Sequence, residues 1–206
     1  MPDLTLDDLI ANGTMSPGIA ATLRAAVGAK CSFLIFARPR LAGKSTMVQA
    51  LLGLLPRDMP VRVVGDDGRD VARLIAEAQG GYLVIPEVSQ YAVAPGYIWG
   101  EPVRQAFQAM AKGCSLAAAL HADDPAEALE IVGVGNGVPE DDVARLGILV
   151  HLRSLGDWRA PRRRVVAGVY EVAGGRVVGT RTLHRWDERT DRFEMLAAPS
   201  RFAVVA

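Results

Sequence analysis

Short apolar runs alternate with stretches of helical spacing over the first two thirds of the chain, and the pattern then becomes strand-like. Residues 6–12 read as a helical turn or two ended by Gly13, and Ser16-Pro17 reads as an N-cap and first helical residue of a helix through about Val27, closed by Gly28. A strand is predicted over 31–37, then a tight loop, then a helix over 45–55 that Pro56 stops. A short strand over 61–64 leads into Gly65-Asp66-Asp67-Gly68, residues 70–78 have helical spacing, and 82–85 is a continuous apolar run of the kind buried on both faces. Residues 89–100, rich in Ala, Tyr, Pro and Gly, read as a loop. A helix over 102–112, a strand over 116–120 and a helix over 125–132 begun at Asp124 follow, and Gly133-Val134-Gly135-Asn136-Gly137 is expected to break the last helix. Strands alternating with helices imply a parallel sheet covered on both sides. From Ile148 onward, 148–153, 164–172 and 176–183 predict strands, the last two joined as a hairpin at Gly174-Gly175. The expected organisation is a core over 1–147 and a small antiparallel, β-rich extension of the same domain over 148–206.

Composition narrows the function classes. A half-apolar chain of 206 residues can bury one substantial core. With 23 basic against 23 acidic residues there is no electrostatic reason to expect nucleic acid or an anionic membrane as partner. Arg162-Arg163-Arg164 is a local exception and reads as a solvated edge beside a turn, not as a binding patch. Cys31 and Cys114 offer neither a disulfide framework nor metal-ligand spacing, which suits a reducing cytosol. No apolar run approaches the roughly 20 residues that span a bilayer, and Met1-Pro2-Asp3-Leu4 lacks a secretory pattern. The expectation is a soluble cytoplasmic protein with no membrane insertion.

The chemistry concentrates in Ala42-Gly43-Lys44-Ser45-Thr46, set between an apolar strand and a helix. Strand, tight loop, Gly-Lys-Ser and helix is the arrangement that holds a nucleoside triphosphate: backbone amides wrap the phosphates, the Lys ammonium neutralises them, and the Ser hydroxyl ligates Mg²⁺. The full motif starts with glycine, and here that position is Arg38, followed by Pro39. Arg38, Leu41, Ala42, Gly43, Lys44, Ser45 and Thr46 are the expected cofactor-binding set for ATP and Mg²⁺; the alternative is a strand-to-helix turn with Lys44 merely solvated. A phosphate loop also needs a carboxylate at a neighbouring strand end, where Glu87 stands after residues 82–86. Asp66 and Asp67 occupy the same kind of place after 61–64, although adjacent acids before a glycine also suit a plain turn. His121, after the 116–120 strand, reads either as a γ-phosphate sensor or as a strand-end histidine bonded to backbone, and His151 and His184 read as structural.

Taken in order, these residues resemble the motor domain of the secretion ATPases of type II and type IV secretion and pilus assembly. Residues 4–10, Met15-Ser16-Pro17 and 23–27 resemble the approach to its phosphate loop. Gly43-Lys44-Ser45-Thr46 is similar to its Walker A, Val64-Gly65-Asp66-Asp67 to its acidic box, and 83–88 to its Walker B. Residues 113–122, followed by 125–129, are similar to its histidine box, and 150–153, a basic hairpin and Arg185-Trp186-Asp187 resemble its closing segment. The resemblance implies a RecA-like P-loop fold, ATP hydrolysis with Mg²⁺, self-association as a ring, and a membrane platform protein as partner. In it Lys44 takes the β/γ-phosphates, Ser45, Asp66 and Glu87 serve the metal, Glu87 polarises water, and His121 senses the γ-phosphate. The chain departs from the family at Arg38 for the first glycine, Pro86 for Gly, Asp66 for Glu, and Ala118-Ala119 for threonines. It begins about where the family's N-terminal domain would end, and 91–101 looks inserted. The competing expectations are a working ATPase and a hydrolysis-deficient nucleotide-binding or structural partner of a full-length secretion ATPase or another complex. A small-molecule kinase is disfavoured because no arginine-rich lid segment is present.

Overall fold

The computed structural model describes residues 4–38, 40–65, 68–91, 93–157, 159–174 and 178–204. Helix α1 (Leu6–Ala11) begins at a reciprocal cap, in which the Asp8 amide donates to the Thr5 hydroxyl and the Thr5 amide to the Asp8 carboxylate. Helix α2 (Pro17–Gly28) opens on Pro17 after Ser16, whose hydroxyl accepts from the Ile19 amide, as the sequence predicts.

Strand β1 (Ser32–Phe36) is buried throughout and sends alternate residues to two cores. Phe33 and Ile35 meet α1, α2 and α3 (Lys44–Leu52) on one face. Leu34 and Phe36 meet α4 (Val71–Glu77), α5 (Glu101–Gln108) and α6 (Pro125–Glu130) on the other. Burial on both faces is why the run is uninterruptedly apolar. Parallel strands β2 (Val61–Val63), β3 (Tyr82–Val88), β5 (Ser115–Leu120) and β6 (Leu146–Gly156) join β1 in the order β2-β3-β5-β1-β6. Antiparallel β7 (Pro161–Ala173), β8 (Gly179–Asp187) and β9 (Arg192–Met195) extend the same sheet beyond β6.

Four features differ from the pattern-based expectation. β3 does not stop at Ile85 but continues through Pro86 and Glu87, with a register shift between Ile85 and Val88. Proline is tolerated at such an irregularity because a ladder donor is not required there. The 89–100 segment is not all loop: β4 (Tyr97–Ile98) pairs in parallel with Glu87 and Val88, and Gly96 lies so close to Pro86 that a Cβ on it would come within 2.6 Å of the ring. The 133–137 glycine cluster does not break the helix but continues α6 as a π-helical turn, Ile131–Gly135, before the short helix α7 (Glu140–Val143). Buried Asn136 holds that turn, donating to the Ile131 carbonyl at 2.7 Å and accepting from the Gly100 amide at 2.7 Å. Strand β9 and helix α7 are additions that the apolar pattern does not announce.

Candidate functional site

Strands β1, β2, β3, β5 and β6 aim their carboxyl ends at one edge, the place where open α/β sheets bind ligands. The loop after β1, the end of β3 and the turn after β5 meet there, so Lys44, Glu87 and His121 converge although they are far apart in the chain. The 40–46 loop forms the floor of a cavity of about 730 Å³; Glu87, His121, Arg164, Val93, Ala94 and Tyr97 form its walls.

Backbone geometry makes the floor. Gly43 has φ +95°, a left-handed value that only glycine adopts without strain, and a Cβ there would also stand 3.1 Å from Arg164 Cδ. Gly43 is the N-cap of α3 and Lys44 its first residue, so the amides of the first turn open into the cavity without a side-chain cap. Leu41 is also left-handed, with φ 62°, and its side chain is 59% exposed. Ser45 and Thr46 are exposed on the cavity floor, and Ala42 is packed beneath it.

Lys44 and Glu87 are both buried, at 9% and 4% exposure. Lys44 Nζ lies 3.2 Å from Glu87 Oε2 and 3.1 Å from His121 Nε2. Burial pushes the Lys44 ammonium below its ordinary pKa against the pull of Glu87, and burial pushes the Glu87 carboxyl up against the pull of Lys44 and His121. Glu87 Oε1 has no hydrogen-bond partner among the described residues and sits 3.9 Å from His121 Nε2. His121 Nδ1 lies 2.7 Å from the Arg38 carbonyl and 3.1 Å from that of Ala37, which places the proton on Nδ1. Its Nε2 lone pair is then the acceptor for Lys44. The strand-end reading of His121 is met through Nδ1, which is bonded to backbone, while Nε2 faces the cavity.

Arg38 occupies a different place from the one its position in the motif implies. Its guanidinium turns away from the cavity to Asp123 at 2.6 Å and Glu127 at 2.7 Å, and only its carbonyl serves the site, through His121. Asp66, expected to support catalysis and the metal, lies with Asp67 outside the described residues. His151 is stacked on Phe36 with ring centroids 4.7 Å apart, and burial pushes it down to about 4. His184 is buried against the Thr22 hydroxyl, 2.8 Å from Nε2.

Two parts of the wall escape the sequence reading. Arg164, read as part of a solvated edge, is exposed as expected but also donates from Nε to the Leu41 carbonyl at 2.8 Å and lines the cavity. Its neighbour Arg163 is tied to Asp191 and the Gly13 carbonyl. Charge counting cannot separate the two; the path of β7 past the 40–46 loop does. The 91–101 segment, read as an insertion, supplies Val93, Ala94 and Tyr97 because β4 anchors it to the end of β3. Among the described residues no group of three or more His, Cys, Asp or Glu side chains is placed to hold a metal ion.

No family model matches the chain, and no curated protein does. Solved structures do. VirB11, the ATPase of the Brucella suis type IV secretion system, solved with sulphate, superposes with a TM-score of 0.55 at 16% identity, over 82% of this chain and 56% of that one. The Legionella pneumophila ATPase DotB gives a TM-score of 0.53 at 12% identity, over 85% of this chain and 50% of that one. The chain thus spans about half the length of each. It shares the fold of these two solved structures, an α/β domain with a mostly parallel sheet and an antiparallel extension.

Proposed function

We propose that this chain is a secretion-type ATPase domain that binds Mg²⁺·ATP in the cavity at the carboxyl edge of the sheet and hydrolyses it. The observation that supports this most is the meeting of Lys44, Glu87 and His121, from three separate strand ends, beside the open first turn of α3. The partnerless, buried Glu87 Oε1 fits a group that arrives with its own donors, such as metal-bound water. Mg²⁺ keeps most of its waters and needs only one or two protein oxygens beside phosphate, so a three-residue ligand cluster is not required.

Lys44 is the phosphate cation in this reading and exchanges Glu87 for phosphate oxygens. Ser45 is the hydroxyl ligand for the metal, with Asp66 and Glu87 as the carboxylates around it. Mg²⁺, when bound, neutralises charge on the phosphates. Glu87, freed from Lys44, orients water and takes its proton; His121, fixed through Nδ1, faces the terminal phosphate with Nε2 and meets it as a donor when that nitrogen also carries a proton. The sulphate held by the VirB11 relative, a tetrahedral anion of phosphate's shape, is consistent with this. Further copies of this chain, a full-length secretion ATPase or a membrane platform protein, in the cytoplasm, are the partners this reading implies. No helix among the described residues is long and apolar enough to cross a membrane.

Phosphate release with and without Mg²⁺ tests the proposal. Glu87→Gln is expected to lower turnover by about 10² to 10³ while nucleotide still binds, as for loss of one preorganised group. Lys44→Ala is expected to lose both binding and turnover. Equal residual rates in wild type and both variants would overturn the catalytic reading. The Lys44–Glu87 ion pair favours a second reading, a nucleotide-responsive partner without turnover, because each group neutralises the other. A thermal upshift with ATP and no release above background selects it.

A further inference from the structure

Two successive arginines on β7 have different fates. Arg163 is committed to the fold: Nη1 lies 2.8 and 2.7 Å from the two Asp191 carboxylate oxygens, and Nε and Nη2 donate to the Gly13 carbonyl at 3.2 and 2.9 Å. Arg164 has no carboxylate partner among the described residues. Its Nε donates to the Leu41 carbonyl at 2.8 Å and its Cδ lies over Gly43, which leaves the two Nη groups exposed at the cavity mouth.

The charge around the cavity is lopsided. Arg40, Lys44 and Arg164 line it against a single carboxylate, Glu87, which already faces Lys44. Lys44 marks the inner end. Arg164 marks the outer end and also lines a second hollow of about 220 Å³, in which the apolar Leu9, Met47 and Leu152 stand beside the polar Asn12, Arg162 and Arg163. A hollow with apolar side chains and a few polar ones suits the base and sugar of a nucleotide, and a planar guanidinium whose Nη groups make no hydrogen bond among the described residues suits phosphate oxygens.

We propose that Arg164 is a phosphate-binding residue, supplied in cis by the antiparallel extension, and that it grips the phosphate nearest the nucleoside. This rests on the reading that the cavity takes a nucleotide. ADP and ATP share that phosphate, so Arg164 sets the affinity for both and leaves their ratio alone.

Titration of the full chain with Mg·ATP and Mg·ADP by calorimetry tests this. Arg164→Ala is expected to weaken both nucleotides about tenfold, the size of one charge-assisted hydrogen bond. Arg164→Lys, which keeps the charge but not the planar fork, is expected to recover only part of the loss, and Arg164→Gln, which keeps a donor at the Nε position, is expected to recover none. Unchanged affinity in Arg164→Ala overturns the proposal and leaves the nucleotide site standing. Unchanged affinity in Arg164→Gln beside a loss in Arg164→Ala also overturns it, by assigning the side chain to holding Leu41, which a neutral donor at the Nε position can still do. Wild type that binds neither nucleotide removes the site reading and this proposal together, and is distinguished by that absence from the other two results.

Discussion

Glu87 and Glu171 are both withdrawn from water, at 4% and 2% exposure, and their surroundings are opposite. Glu171, on β7, accepts from the Arg181 guanidinium at 2.6 Å, the Ser200 amide and hydroxyl at 2.7 and 2.8 Å, and the Arg201 amide at 2.9 Å. Burial alone would push its carboxyl up, but these donors outweigh burial and hold it below the ordinary value. Glu87 has one strong donor, Lys44, and an oxygen with no partner, so burial wins and its carboxyl is pushed up. Donor count, not depth, decides which way a buried carboxylate goes. The fold can satisfy such a group and does so where the C-terminal tail is pinned to the sheet. At the cavity it leaves one with spare acceptor capacity.

The largest test of that contrast is Glu171→Ala. Removing one side of a buried, hydrogen-bonded charge strands Arg181 and the 200–201 amides, with an expected loss of about 3 kcal/mol in urea unfolding and no selective loss of nucleotide affinity. A loss below about 1 kcal/mol would show that the tail is not held by this carboxylate.

The pH dependence of stability separates the two acids by sign. Glu171, with its pKa lowered, contributes stability above the unfolded value of a glutamate, and this is lost as pH falls through that value and then through the folded one. Glu87, with its pKa raised, contributes stability below the unfolded value, and this is lost as pH rises through the folded one. Unfolding of wild type, Glu87→Gln and Glu171→Gln is therefore expected to show the Glu87 variant gaining on wild type as pH rises through the acid range and the Glu171 variant falling behind it. His151, pushed down to about 4, loses stability as pH falls from 6.5 toward that value, but it is common to all three proteins and cancels in the differences. Parallel curves would mean that both carboxylates are equally solvated.

The smallest expected effect is that of Arg38→Gly, which restores the motif's usual residue. The Arg38 ion pairs are exposed, with 55% of its side-chain surface open against 61% at Asp123, so stability should change by about 0 to 1 kcal/mol. Nucleotide affinity should not rise, because the side chain already points away from the cavity. A tenfold gain in calorimetry would show that it obstructs the loop after all.

Much of the fold was legible in the chain. The uninterrupted apolar runs at β1, β3 and β5 announce strands buried on both faces, and Ser16 and Asp124 announce helix starts through their own side chains. The positions of Lys44, Glu87 and His121 were legible too, because strand ends and loop spacing are local properties. Pairing β4 to Glu87 was not, since two residues of strand in an Ala- and Pro-rich segment carry no period to read. Nor was the π-helical turn, which depends on Asn136 reaching the Gly100 amide across the fold.

The sequence by itself determined which segments are strand or helix and which residue types can meet phosphate, because burial period, capping and loop chemistry act over a few neighbouring positions. Only the tertiary structure decided that Lys44 is held by Glu87 and His121, that Arg38 turns outward to Asp123 and Glu127, and that Arg164 stands over the 40–46 loop while Arg163 does not. Those outcomes depend on where a side chain from one strand finds its partner on another, and electrostatic pairing over a few ångströms is blind to separation along the chain.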